Sequence, residues 1–223
     1  MRTLKENYLA IKKCVITDYP YILDWDDKIL EPIFNDVYID VLNQHSHIIN
    51  KYYSKDGQGL LMLEYINHYV ELAYRYANKL WKLDLEHIAE AVYYSSRVRG
   101  SIDCFYKTEI PDYFMPIHSL GAVMDMHATY GKLFMIYNGC HIGPYNIINS
   151  GPSQWIHPTF GDGVKLLSGV HVYGNTKIGN NVIVSVNSLL INEEIPDNCI
   201  VMGSSPNIIV KKIGNNGPLS MLR

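Results

Sequence analysis

Cysteine is scarce in this 223-residue chain, charge is sparse, and long apolar runs are missing. The four cysteines, Cys14, Cys104, Cys140 and Cys199, lie far apart and show no C-x-x-C spacing. That pattern excludes a disulfide framework and a clustered zinc site, and fits reduced thiols of a cytoplasmic protein. Charged residues make up 18% and the formal net charge is −3, so nothing offsets the phosphates of a nucleic acid. No stretch approaches the ~20 apolar residues that span a bilayer. The start, MRTLKENYLAIKKCV, has no apolar core of signal-peptide type. The expectation is a soluble, cytoplasmic chain. Hydrophobic residues reach 48%, a globular balance sufficient for one large domain or two small ones.

What is present divides into two periods. Up to about residue 110 glycine is rare and apolar residues recur at helical spacing. In 62–83 they fall at Leu63, Ile66, Val70, Ala73, Ala77 and Leu80, one helix face. A further helix is expected at 85–98, capped by Asp84 and ended by Gly100, and KDGQG (55–59) breaks an earlier helical region. After Pro116 the period becomes six. Met124, Tyr130, Ile136, Ile142, Ile148, Phe160, Leu166, Val172, Ile178, Val184 and Leu190 keep that phase, and only Gln154 misses it. A second series, four residues later, includes Ala128, Phe134, Cys140, Val164, Val170, Thr176, Val182 and Ser188. Glycine and asparagine between them suit turns that need positive φ. Such hexads mark a parallel β-helix, in which stacked coils bury a continuous column. The fold class is therefore α + β: a helical domain at 1–115, a β-helix with a closing segment at 116–212, and a tail at 213–223. The repeat is expected to end at Pro196, and a loop is expected to leave the helix within 149–158.

Four stretches carry a resemblance: YRYANKLWKL (74–83), IHSLGAVMDMHATYG (117–131), HPTFGDGVKLLSGVHVYGNTKIGNNV (157–182) and IPDNCIVMGSSPNIIVK (195–211). Together they resemble the serine acetyltransferase-like branch of the hexapeptide-repeat acyltransferases, over roughly residues 70–212. The resemblance implies a left-handed β-helix, acetyl-CoA as co-substrate and no metal. It also implies transfer of acetyl to a small-molecule or glycan hydroxyl in a ternary complex, and a homotrimer that helical domains would pair into a dimer of trimers. Two departures stand out. Met126 separates Asp125 from His127 where the family joins Asp to His, and Ile156 stands where serine-specific members carry Arg before the second histidine. A bidentate arginine grips an amino-acid carboxylate. Its loss favours a sugar hydroxyl of a surface polysaccharide or its precursor as acceptor. The alternatives are a serine O-acetyltransferase of cysteine biosynthesis, which the C-terminal SMLR does not favour, and a non-catalytic β-helix scaffold.

Acetyl transfer to a hydroxyl needs a base, and imidazole titrates in the useful range. The resemblance places the base at His127 and a second active-site histidine at His157. Both lie three residues after an in-frame position, hence in turns, where a solvated turn histidine is the plainer reading. Asp125 either orients His127, touches the acceptor or is a turn aspartate. His118, His141 and His171 read as exposed or packing residues, and His45, His47, His68 and His87 as solvated helix-face residues. Buried Cys140 reads as a small hydrophobe, which favours direct transfer over an acyl-cysteine. For the CoA arm the resemblance implies Ser168, Gly169, Val186, Gly203 and Ser205. Lys211 and Lys212 either meet its phosphates or form a solvated basic tail. The separation of the histidines is 157 − 127 = 30 residues. If a coil is about 18 residues and the count is unbroken, the two imidazoles occupy different edges and share a site only between chains. A loop around Gln154 would reset that count.

Overall fold

The computed structural model describes residues 2–22, 24–147, 154–214 and 216–223. They form two compact units, one reaching to Lys107 and including Arg223, the other spanning Thr108–Leu222.

The first unit carries four helices among its described residues: α1 (Leu4–Asp18), α2 (Asp27–Ser46), α3 (Ile66–Lys82) and α4 (Glu86–Gly100). A reciprocal Thr3–Glu6 capping box starts α1 and the Asp26 carboxylate caps α2. Helix α3 buries Val70, Ala73, Ala77 and Leu80 as its spacing predicts, while Ile66 stays exposed. Asp84 is not the cap of α4; it takes φ +60° in the connection, and Leu85 fills the N-cap position without a side-chain bond. KDGQG turns a two-residue hairpin, Ser54–Lys55 against Gln58–Gly59. Asp56 and Gly57 supply the positive φ values that its twist requires.

Two of the helical histidines depart from the solvated reading. His45 and His68 are buried at 0% and 1% exposure beside a fully buried Glu71. His45 Nε2 meets Glu71 Oε2 at 2.9 Å and its Nδ1 meets Leu60 O at 2.6 Å, while Met62 N donates to His68 Nδ1 at 3.1 Å. Burial pushes His68 down to about 4. Burial alone would raise the Glu71 carboxyl, but His45, by charge and by hydrogen bond, and then Arg75 hold it below its ordinary value.

The second unit is the expected parallel β-helix. One face stacks Phe134–Ile136, Val164–Leu166 and Val182–Val184; the next stacks His141–Gly143, His171–Tyr173 and Leu189–Ile191. The third stacks Thr129–Tyr130, Thr159–Phe160, Lys177–Ile178 and Glu194–Ile195. The in-frame column is buried: Ile136, Leu166, Val172, Val184 and Leu190 are at most 0% exposed and Ile178 is 3%. Coils approach so closely where the chain turns that a Cβ on Gly131 would lie 2.4 Å from the Gly161 backbone. Leu166→Ala should cost about 2–5 kcal/mol in a urea titration, because rigid stacked coils close poorly over a cavity.

The spacing of coils is uneven, and this corrects two expectations. Along the third face the steps are 159 − 129 = 30, 177 − 159 = 18 and 194 − 177 = 17 residues. The first step exceeds a coil by 30 − 18 = 12 residues. Within that excess Tyr145–Ile147 pairs antiparallel with Gln154–Ile156. Twelve residues is two hexads, so the six-residue phase survives although Gln154 is exposed and outside the column. Ile148, counted in that phase, lies outside the described residues. Nor does the repeat end at Pro196. A coil shortened by one residue brings Ile195 beneath Ile178 and Val201 beneath Val184, and both are buried. Strand Cys199–Ser204 then closes the stack by pairing antiparallel with Asn207–Lys212.

Candidate active site

The 12-residue excursion decides the site. It restores His157 to the corner that His127 occupies one coil earlier, and the two rings lie with centroids 5.0 Å apart at 64°. The expectation of different edges, with histidines meeting only between chains, is therefore overturned: one chain brings both together. Immediately downstream, Thr129 and Tyr130 pair in register with Thr159 and Phe160. The Tyr130 and Phe160 rings stack at 5.4 Å and 3°, which clamps the two turns at a set separation.

Asp125 joins the pair. Its side chain is only 5% exposed, and Oδ2 takes a hydrogen bond with His157 Nδ1 at 2.7 Å. Oδ1 accepts the backbone N–H of His127 at 2.9 Å, and Tyr130 Oη donates to the Asp125 carbonyl at 2.8 Å. With Met126 between Asp125 and His127, the carboxylate bonds the backbone N–H of His127 and the ring of His157 on the next coil. His127 is exposed, and among the described residues its ring has no hydrogen-bond partner.

The residues implied for CoA gather at another corner. Gly169 (φ +70°) and Ser168, whose Oγ donates to Asn138 Oδ1 at 2.7 Å, sit above Val186, which is 56% exposed. Gly203 (φ +106°) continues this edge, because strand Cys199–Ser204 pairs with Val184 before it and Leu189 after it. Ser205 Oγ accepts Ile191 N–H at 3.0 Å. Lys211 and Lys212 are exposed but not at that edge: Lys211 pairs with Ile200, three residues, or about 10 Å, along the strand from the partner of Gly203.

Other polar candidates are accounted for. His141 and His171 stack at 5.1 Å and 8° on the face between the corners; burial, then the neighbouring His141, holds His171 below its ordinary value. Cys140 donates to Leu167 O at 3.1 Å and burial raises its thiol, as burial raises Cys104, so neither favours a thiolate nucleophile. No group of three or more metal-ligating side chains occurs among the described residues. No helix among them is long and apolar enough to cross a membrane.

No family model matches the sequence. The chain is, however, 29% identical over 171 residues to serine acetyltransferase of Staphylococcus aureus (strain Mu50), covering 74% of this chain and 77% of that protein. Its fold matches serine acetyltransferase from Brucella abortus strain S19 with a TM-score of 0.64 and 19% identity, over 95% of this chain and 86% of that one. A serine acetyltransferase solved in complex with CoA matches with a TM-score of 0.55 and 16% identity, over 90% and 75% of the two chains. Helical unit, hexad solenoid and relatives together make the chain similar to the hexapeptide-repeat acyltransferases. Among such proteins, those it resembles are serine acetyltransferases.

Proposed function

We propose that this chain transfers acetyl from acetyl-CoA to a hydroxyl, with serine as the acceptor that its relatives favour. The observation that carries the chemistry is the His127–His157 pair resting on a buried carboxylate at one corner of the solenoid. With no sulfur nucleophile prepared, acceptor and thioester react directly in a ternary complex. Acetyl-CoA is the co-substrate, with its arm along Ser168, Gly169, Val186, Gly203 and Ser205.

That edge and the histidine corner are separated by the width of a face. From Val170 to Gly174, five residues at about 3.3 Å each make roughly 17 Å. A cofactor on one corner of a chain and a base on another meet readily when chains pack side by side, the cofactor corner of one against the histidine corner of the next. This supports a cyclic homotrimer with three equivalent sites.

A sugar hydroxyl of a surface polysaccharide or its precursor is the second reading, and Ile156 favours it. Ile156 is half-buried opposite Tyr145 and offers no charge to an amino-acid carboxylate. The cation that serves serine is then Lys177, whose backbone pairs with Thr159, two residues beyond His157. Turnover of acetyl-CoA against serine and a panel of sugars separates the readings. Efficient turnover with serine supports the first, and turnover with a sugar alone supports the second. No transfer to any acceptor leaves the scaffold. On the serine reading, Ile156→Arg should lower KM for serine about tenfold or more, because a charge-assisted hydrogen bond contributes ~1.5–3 kcal/mol. An unchanged KM would place residue 156 away from the acceptor.

A further inference from the structure

We propose that the second face of the solenoid is a metal site shared between chains: His141 and His171 meet their copies on the threefold axis of the trimer and hold one divalent transition-metal ion there. The site rests on the side-by-side trimer and lies outside the transfer reaction. In that packing both corners of a chain are engaged, the histidine corner by one neighbour and the cofactor corner by the other. The face that joins the two corners carries His141–Gly143, His171–Tyr173 and Leu189–Ile191, and it is thereby turned toward the axis. With faces roughly 17 Å wide and corners meeting, the axis lies about 5 Å from each backbone, within reach of an imidazole.

The outward side chains favour this orientation. On the third face they are Thr129, Thr159, Lys177 and Glu194, all exposed and all polar or charged. On the second face the outward row runs Val123, His141, His171 and Leu189 in hydrogen-bond register, flanked by Tyr173 and Ile191. All six are half-buried within a single chain. A row of outward apolar side chains marks a surface built to be covered. The two imidazoles interrupt it. They stack at 5.1 Å and 8°, and neither has a hydrogen-bond partner among the described residues. Once copies of the chain cover them, such groups need partners. Threefold symmetry supplies the geometry, because it turns one imidazole into three around a single point. Three nitrogen ligands at about 2.0–2.1 Å with a fourth position open are a zinc-type set. Imidazole suits zinc, copper and nickel rather than calcium or magnesium, which take oxygen. Two dications one coil apart repel, which limits the two stacked layers to one ion. One chain by itself brings no group of three ligating side chains together among its described residues, so the site is incomplete without its neighbours.

Zinc titration of the full-length chain tests this, with sedimentation velocity following the assembly. The protein is stripped with a chelator, dialysed and titrated with zinc chloride in a calorimeter. The expected result is a trimer, or a pair of trimers, that binds one zinc per three chains. The double variant His141→Leu, His171→Leu matches the apolar character of Leu189 below it, so the trimer should persist while zinc affinity falls by about 10²-fold or more. Cobalt chloride gives a second measurement on the wild type, independent of how the variant folds. Bound at the same one-to-three ratio, it should show the intense visible bands of a four-coordinate site. A wild-type trimer that takes up no zinc overturns the proposal, as does one zinc per chain. Zinc retained at one per three chains in the double variant places the ion elsewhere and overturns it too, and so does cobalt that keeps the pale spectrum of its hydrated ion beside the wild-type trimer. A wild-type chain that sediments as a monomer or dimer instead sinks the trimer on which the site rests, a separate failure that sedimentation alone identifies.

Discussion

Acidification from pH 6.5 to pH 4 should lower the stability of the protein by roughly 3 kcal/mol through His68 alone. The unfolded chain binds a proton at this residue near its ordinary value of 6.5, whereas the folded chain resists until about 4. Between those values unfolding takes up a proton, so stability falls as pH falls; 2.5 pH units at ~1.36 kcal/mol each give the figure. Glu71 acts in the same sense. Its folded carboxyl is held low, so its contribution is present above the ordinary carboxylate range and lost as pH falls through it. The groups facing His68 are His45, Tyr53, Tyr65 and Glu71, with Arg75 behind the carboxylate at 3.5 Å. His68→Asn keeps an acceptor for the Met62 N–H and removes the titration, so it should flatten urea-derived stability between pH 6.5 and 4.5. Glu71→Ala is the larger lesion. It strips His45 of a 2.9 Å partner inside a core where neither ring nor carboxylate meets water. Breaking such a pair costs ~3–5 kcal/mol, a large share of a total that is typically ~5–15 kcal/mol. A midpoint in Glu71→Ala within a degree or two of wild type would show that the pair is dispensable.

Mixing inactive subunits should restore about one quarter of wild-type activity, provided that the two lesions lie on different corners. His157→Ala removes one corner's chemistry. Val186→Glu places a charge on the cofactor edge at a position 56% exposed, where folding is little affected. In a cyclic trimer each site pairs the histidine corner of one chain with the cofactor corner of the next. Any trimer holding both variants then has one intact site, and random assembly at equal amounts makes about three quarters of trimers mixed. One site in three of those is roughly a quarter of all sites. Mixing His127→Ala with His157→Ala should restore nothing, because one chain supplies both rings. Recovery in that second mixture, or none in the first, would reject the proposed division of the site.

Much of this could be read from residues alone, and the boundary has a physical cause. A hexad writes its own geometry: an inward side chain every six residues must be apolar and its turn must tolerate positive φ. Leu166, Val172, Ile178 and Val184 therefore announced a β-helix before any contact was known. Pro196 misled for the same reason, since one deleted residue moved the inward position to Ile195 without disturbing the stack. His45 and His68 misled because a buried polar residue looks like a surface one until its partners are known; Glu71 and the backbone at Leu60 and Met62 supply them.

The local repeat by itself determined the two-unit plan, the buried column and the turn placement of His127, His157 and the Asp125 carboxylate, because each depends on spacing along the chain. Only the tertiary structure decided which corners coincide. An excess of two hexads keeps the phase and changes the coil, so sequence periodicity is blind to it. Pairing of Thr129 with Thr159 brings the two imidazoles together, and the Asp125 carboxylate bonds the ring 32 residues away. Proximity across coils is a matter of hydrogen-bond register, and register is settled only when the strands meet.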